Sequence, residues 1–229
     1  MSNFDFGVIE RSLHYLFFTG MTFTLTLTAL AASGGIVLGT GIALMRLAGG
    51  RVLGAVATGY VNLMRSLPLV LVIFWFYFLV PYIGQWATGA SRPVAVGAFS
   101  SSLLTFTLFE AAYFSEIIRA GIGSIPRGQM AAGMALGLTY PQVMGSVILP
   151  QVFRTMLPVL LTQTIVLFQD TSLVYVLSIT DFMGAASKIA QRDGRLVEMY
   201  VFAALVYFTI SFAASQAIRR LGGRIAIIR

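Results

Sequence analysis

The chain contains no cysteine. That excludes disulfides, thiolate metal sites and cysteine nucleophiles, and leaves the compartment open. It is also short of charge. Asp, Glu, Lys and Arg make up 10% of its 229 residues, whereas a soluble domain carries about a quarter. So few ionic side chains cannot clothe a water-facing surface of this size. Lysine is reduced to Lys188 and histidine to His14. No G-x-x-x-x-G-K-[ST] run occurs, so the loop that cradles nucleotide phosphates is missing. What remains is apolar: 58% hydrophobic and 13% aromatic, which excludes a disordered chain. These proportions describe an integral membrane protein, and the spans below make it all-α.

A helix crosses a hydrocarbon core of about 30 Å with about 20 apolar residues. Stretches 15–45, 52–80, 94–118, 152–177 and 196–218 meet that length. They lack the sustained two-residue alternation of barrel strands. One membrane domain over 1–229 is expected, with its core at about 15–220. The net charge of +7 is carried by residues between the apolar runs, not along one amphipathic face. Retention of basic residues on one side of a bilayer explains it without a nucleic-acid partner. Arg46, Arg51, Arg119, Arg127, Arg154, Arg219, Arg220, Arg224 and Arg229 then lie inside. Arg11, Arg92, Lys188, Arg192 and Arg195 lie outside. The expected orientation is N-terminus periplasmic and C-terminus cytoplasmic. The first residues lack a basic n-region, so no cleavage is expected.

Two connections are long. The outer one, 178–195, suits a short helix capped by Asp181 and stopped by Asp193-Gly194. The inner one, 121–151, is rich in glycine and proline. It predicts one short helix ending at Gly137 and a second capped by Thr139, with Pro141 in its first turn and Pro150 at the foot of the fourth span. Two readings of this helix–turn–helix stay open on spacing alone: an interfacial loop, or a docking surface.

The residues in that loop resemble those of a known family. Gly137 is followed after nine residues by Val147-Ile148-Leu149-Pro150, similar to the EAA coupling loop of type I ABC importer permeases. Arg65-Ser66-Leu67-Pro68-Leu69, Tyr113 through Gly121, and Gln169-Asp170-Thr171-Ser172-Leu173 resemble the polar amino acid branch. The wording is most similar to the smaller permease of glutamate/aspartate importers. One departure stands out: Ala131, Ala132 and Gly133 occupy the motif's glutamate and first two alanines.

The resemblance implies a five-helix type I ABC transmembrane fold and a subunit that imports acidic amino acids. It implies a second permease, two cytoplasmic ATPases that bind the ATP, and a periplasmic binding protein. The chain itself is then no enzyme and holds no cofactor or metal. The missing motif glutamate leaves docking either to Gly137 and helix shape or to a second, non-identical permease, and a heterodimer is expected. The resemblance also implies a bacterial inner membrane. Coupling to the ATPase falls to Arg127, Gly128, Gln129, Ala132, Gly137 and Pro150. Importers of glutamine, histidine or arginine type are the alternative, followed by a secondary transporter. Five spans do not divide into the equal inverted halves usual there.

An ionised group at mid-bilayer costs roughly 3 kcal/mol, so each one is sheltered or used. Glu116 and Arg119 stand at i,i+3 spacing, which suits a structural ion pair. Asp170 and Gln163 are two helical turns apart on one face, with Thr162 and Gln169 beside them. Pro158 frees the Arg154 carbonyl and predicts a bend. That stripe is the candidate substrate pathway: Asp170 for an ammonium group, and the amides for carboxylates. A purely structural use of the glutamines is the other reading. Glu110 suits a hydrogen-bonded structural role, and His14 interfacial packing.

Overall fold

The computed structural model describes residues 4–225, and among these there are helices and turns but no strand. A short helix α1 (Phe6–His14) passes through a widened π-turn at Tyr15–Met21 into α2 (Thr22–Ala48). There follow α3 (Gly50–Ser66), α4 (Leu69–Thr88) and α5 (Ala98–Gly123). Next come α6 (Arg127–Ala135), α7 (Tyr140–Val143) and α8 (Leu149–Asp170). A 3₁₀ segment, Thr171–Leu177, leads to α9 (Phe182–Asp193), and α10 (Leu196–Ile225) is the last of the described elements.

Segments Phe6–Ala48, Leu69–Thr88, Tyr140–Leu177 and Leu196–Arg224 are long and apolar enough to cross a membrane. Their outer faces agree: Trp86 is 86% exposed and Val37 and Phe18 71% each. Such a rim of large apolar side chains suits lipid or another subunit, not water. Polar groups turn inward, with Thr24, Thr105, Glu110 and Ser115 buried.

The bundle is built around α2 and α5, which lie against each other along most of their length. Small residues allow it. A Cβ at Gly39 would stand 2.9 Å from the Ala111 carbonyl oxygen and from Ser115 N, so the two backbones touch there. Phe114 fills the space beside them, fully buried with Ala43, Ile118 and Leu160 of α8. A second cluster, Leu27, Ile73, Phe106 and Leu167, joins α2, α4, α5 and α8.

Two boundaries differ from those expected. The stretch 52–80 is not one helix: it breaks at Leu67, whose backbone is extended (φ −100°, ψ 139°) ahead of Pro68. The ring of a proline disfavours helical geometry in the residue before it, and here that preference outweighs the continuous apolar pattern. The second short helix of the inner connection is not separate either. It runs through a π-turn at Met144–Ile148 straight into α8. The wider turn precedes Pro150, which has no amide to offer the preceding turn.

Helix α9 lies across one end of the bundle. Asp181, fully buried, accepts from Met183 N at 3.1 Å and Gly184 N at 2.8 Å. Burial pushes its carboxyl up to about 6, against the pull of those donors. Gly194 ends the helix in the left-handed region at φ 67°. Thr24 of α2 accepts from Phe182 N at 3.0 Å and ties α9 to the core.

Candidate functional site

Polar side chains from α3, α5 and α8 lie near one another, from buried Glu110 out to exposed Arg65. Glu110 of α5 is fully buried, and Gln163 of α8 donates to it, 3.3 Å to Oε1 and 3.1 Å to Oε2. Bonding both carboxyl oxygens to one amide avoids the cost of an unsatisfied buried polar group. One turn further along α5, Tyr113 lies within electrostatic reach of both Glu110 and Asp170. The Arg65 guanidinium, at the end of α3, stands 5.5 Å over the Tyr113 ring, a cation–π distance. The break at Leu67-Pro68 places it there, because α3 stops one residue later. Asp170 ends α8, half-buried, and its carboxylate makes no hydrogen bond or ion pair among the described residues. The cluster holds two carboxyls, one cation, one amide and one phenol: groups able to meet both charges of a small zwitterion.

Towards the opposite end from α9, a cleft of about 350 Å³ follows the same faces of α5 and α8. Ile117, Ala120 and Gly121 line one wall, and Thr155, Met156 and Val159 the other. Glu116 stands at this level and takes two guanidiniums, Arg119 from the next turn and Arg46 from α2.

Beyond it lies the α6–α7 knuckle. Gly137 sits at φ 85°, a conformation costly for a side chain with a Cβ. Its N donates to the Met134 carbonyl at 3.0 Å, and Leu138 N to the Gly133 carbonyl at 3.2 Å, a Schellman closure. Gln142 Oε1 then accepts from both Thr139 N (2.8 Å) and Thr139 Oγ1 (2.9 Å) at the start of α7. Gly133 faces Val143 so closely that a Cβ would approach its Cγ2 to 2.7 Å. The outer face shows Met134, Tyr140 and Leu136, the last 83% exposed. Exposed apolar side chains gathered on one turn suit contact with another protein or with lipid.

The family model described as "Binding-protein-dependent transport system inner membrane component" matches residues 35–227. The chain belongs to this family. The glutamate/aspartate import permease GltK of Escherichia coli O157:H7 is 51% identical over 226 residues, 99% of this chain and all of that protein. The probable glutamine permease GlnM of Bacillus subtilis is 31% identical over 92% of this chain and 93% of its own. Among solved structures, an amino acid ABC transporter with histidines is 30% identical, with a TM-score of 0.85 over 96% of this chain and 98% of that one. The MetNI methionine transporter, at 17% identity and TM-score 0.74, shares the fold over 93% of this chain and 97% of its own.

The chain is an inner-membrane component of an ABC importer, and Gln163 and Asp170 lie on one of its candidate membrane spans, Tyr140–Leu177. Of the stripe expected from the sequence, Gln163 and Asp170 belong to the cluster. Gln169 instead donates to Ser211 Oγ of α10 at 3.0 Å, and the exposed Thr162 hydroxyl folds back to the Pro158 carbonyl at 2.8 Å. Gly128, Gln129, Ala132, Gly137 and Pro150 are all exposed on or beside the knuckle. The side chain of Arg127, and the whole of Arg229, lie outside the described residues. Arg65 and Tyr113 were not singled out from the sequence as site residues. Two local signals pointed to them: an arginine two residues before a helix-breaking Leu-Pro, and a tyrosine one turn from an intramembrane glutamate.

Proposed function

We propose that this permease carries acidic amino acids, glutamate and aspartate, as one half of a heterodimeric pathway in an ABC importer. Whole-length identity of 51% with a glutamate/aspartate permease is the observation that carries the reading. The polar cluster supports it chemically. Asp170 offers a charge for the ammonium group, Arg65 one for a carboxylate, and Gln163 holds Glu110 out of competition. The glutamine, histidine and arginine types remain the competing substrates.

In this reading the N-terminus faces the periplasm and the knuckle the cytosol. Helix α5, 26 residues and so about 39 Å long, serves as the fifth span. Its charged and hydroxylated residues face protein, which lowers its hydropathy below that of the other four. A periplasmic binding protein delivers the substrate, and two separate ATPases bind ATP and grip the α6–α7 knuckles of the two permeases. Helix α7 continues through the π-turn into α8, so a displaced knuckle moves the helix that bears Gln163 and Asp170. That continuity makes α8 the lever between ATP hydrolysis and the pathway.

The test is uptake by the assembled transporter in proteoliposomes, with loaded binding protein outside and ATP inside. Labelled glutamate accumulates, excess aspartate competes, and glutamine and arginine do not. Competition by glutamine or arginine without aspartate would assign the permease to another polar amino acid.

A further inference from the structure

The 3₁₀ segment beyond Asp170 and helix α9 enclose a cleft of about 370 Å³, at the small end of the ~300–1,000 Å³ range of ligand sites. Tyr175 lines it from the segment, Ser178 from the residue after it, and Ser187, Lys188 and Gln191 from α9. No carboxylate is among its lining residues. Lys188 is exposed and donates to the Thr180 hydroxyl, and among the described residues no acid pairs with it. The nearby acids are engaged elsewhere: Asp181 caps α9, and Asp193 meets Arg192 and Arg11. The α9 wall is fixed in place. Gln191 Nε2 donates to Ser187 Oγ at 3.0 Å, and Ser187 Oγ lies 3.3 Å from the Tyr200 hydroxyl of α10. That leaves the Gln191 carbonyl oxygen to accept from a ligand. The seven-residue 3₁₀ segment sets the cleft about 14 Å beyond Asp170.

We propose that this cleft is a second, outer site for an acidic amino acid, in which Lys188 holds a carboxylate and the Gln191 carbonyl oxygen the ammonium group. The proposal rests on the acidic amino acid reading above. An uncompensated cation here concentrates anionic substrate at the mouth of a pathway whose middle carries two carboxyls. The substrate then passes along the 3₁₀ segment to Asp170.

Lys188 is the chain's single lysine, so amine acylation reports on it without interference from the rest of the permease. The purified permease–ATPase complex, without binding protein, is treated with a water-soluble acylating reagent, and the α9 peptide is followed by mass spectrometry. At about twice the dissociation constant, L-glutamate or L-aspartate slows labelling about threefold, while L-glutamine at equal ionic strength does not. Equal rates in all three would remove the outer site. In proteoliposomes Lys188→Gln lowers glutamate uptake, Lys188→Arg retains it, and ATP hydrolysis without binding protein is unchanged in both. Wild-type uptake with Lys188→Gln would overturn the proposal too. The wild-type transporter in the same assay separates the two failures. Uptake of glutamate with indifferent labelling leaves the substrate reading standing and discards only the cleft, whereas uptake of glutamine alone discards both.

Discussion

Replacing Gly133 by valine is expected to strip the ATPase from the permease. A Cβ at this position would lie 2.7 Å from Val143 Cγ2 and 2.9 Å from Cγ1. Val143 cannot turn away, because it is fully buried and a β-branched side chain has essentially one χ1 well in a helix. The clash is therefore relieved only by lifting α6 off α7, which shifts Met134 and Leu136 together. Overpacking of this kind costs about 1–3 kcal/mol. In the proposed assembly, co-purification of the ATPase and ATP-driven uptake fall by about tenfold or more. Gly59→Ala in α3, outside the knuckle, is the control: its Cβ meets nothing within 4 Å, so both readouts stay at wild type. A Gly133→Val permease that retains its ATPase and transports normally would show that the knuckle is not the gripped surface.

Asp170→Asn is expected to abolish most uptake while the complex stays assembled. The carboxylate is half-buried and satisfies no partner in the fold, so its loss removes no internal contact. What it removes is the charge that meets an ammonium group. A charge-assisted hydrogen bond contributes about 2 kcal/mol, or roughly thirtyfold in rate or affinity. The deficit shows in labelled glutamate uptake and in substrate-stimulated ATP hydrolysis, with the amount of assembled complex unchanged. Normal transport by Asp170→Asn would remove the ammonium role. Glu110 does not substitute for it, since Gln163 already occupies both of its oxygens.

The parts of the structure that were legible in the sequence are those set by local chemistry. Asp181 and Asp193-Gly194 bracket α9, and Gly137 closes α6, because caps and left-handed glycines act over a few residues. The break at Leu67-Pro68 carried an equally local signal, but the apolar run on both sides of it reads as one span. The π-turns at Tyr15–Met21 and Met144–Ile148 left no periodic trace to read.

The candidate site was half visible. Helical spacing put Gln163 and Asp170 on one face, and both are in the cluster. The partners that define the cluster come from elsewhere in the chain: Glu110 lies 53 residues from Gln163, and Arg65 reaches Tyr113 only through tertiary packing of α3 on α5. The same holds for Arg46, which joins Glu116 across 70 residues, and for Gln169, which Ser211 draws to α10. Sequence periodicity assigns a residue to a helix face and says nothing of which helix covers that face.

The most direct measurement is the accessibility of a single cysteine placed at Gly128, in a chain that otherwise has none. A membrane-impermeant maleimide should label Gly128→Cys in inside-out vesicles and not in intact cells. Bound ATPase should slow that labelling. Labelling from the periplasmic side in intact cells would contradict the orientation, the docking of the ATPase and the importer assignment at once.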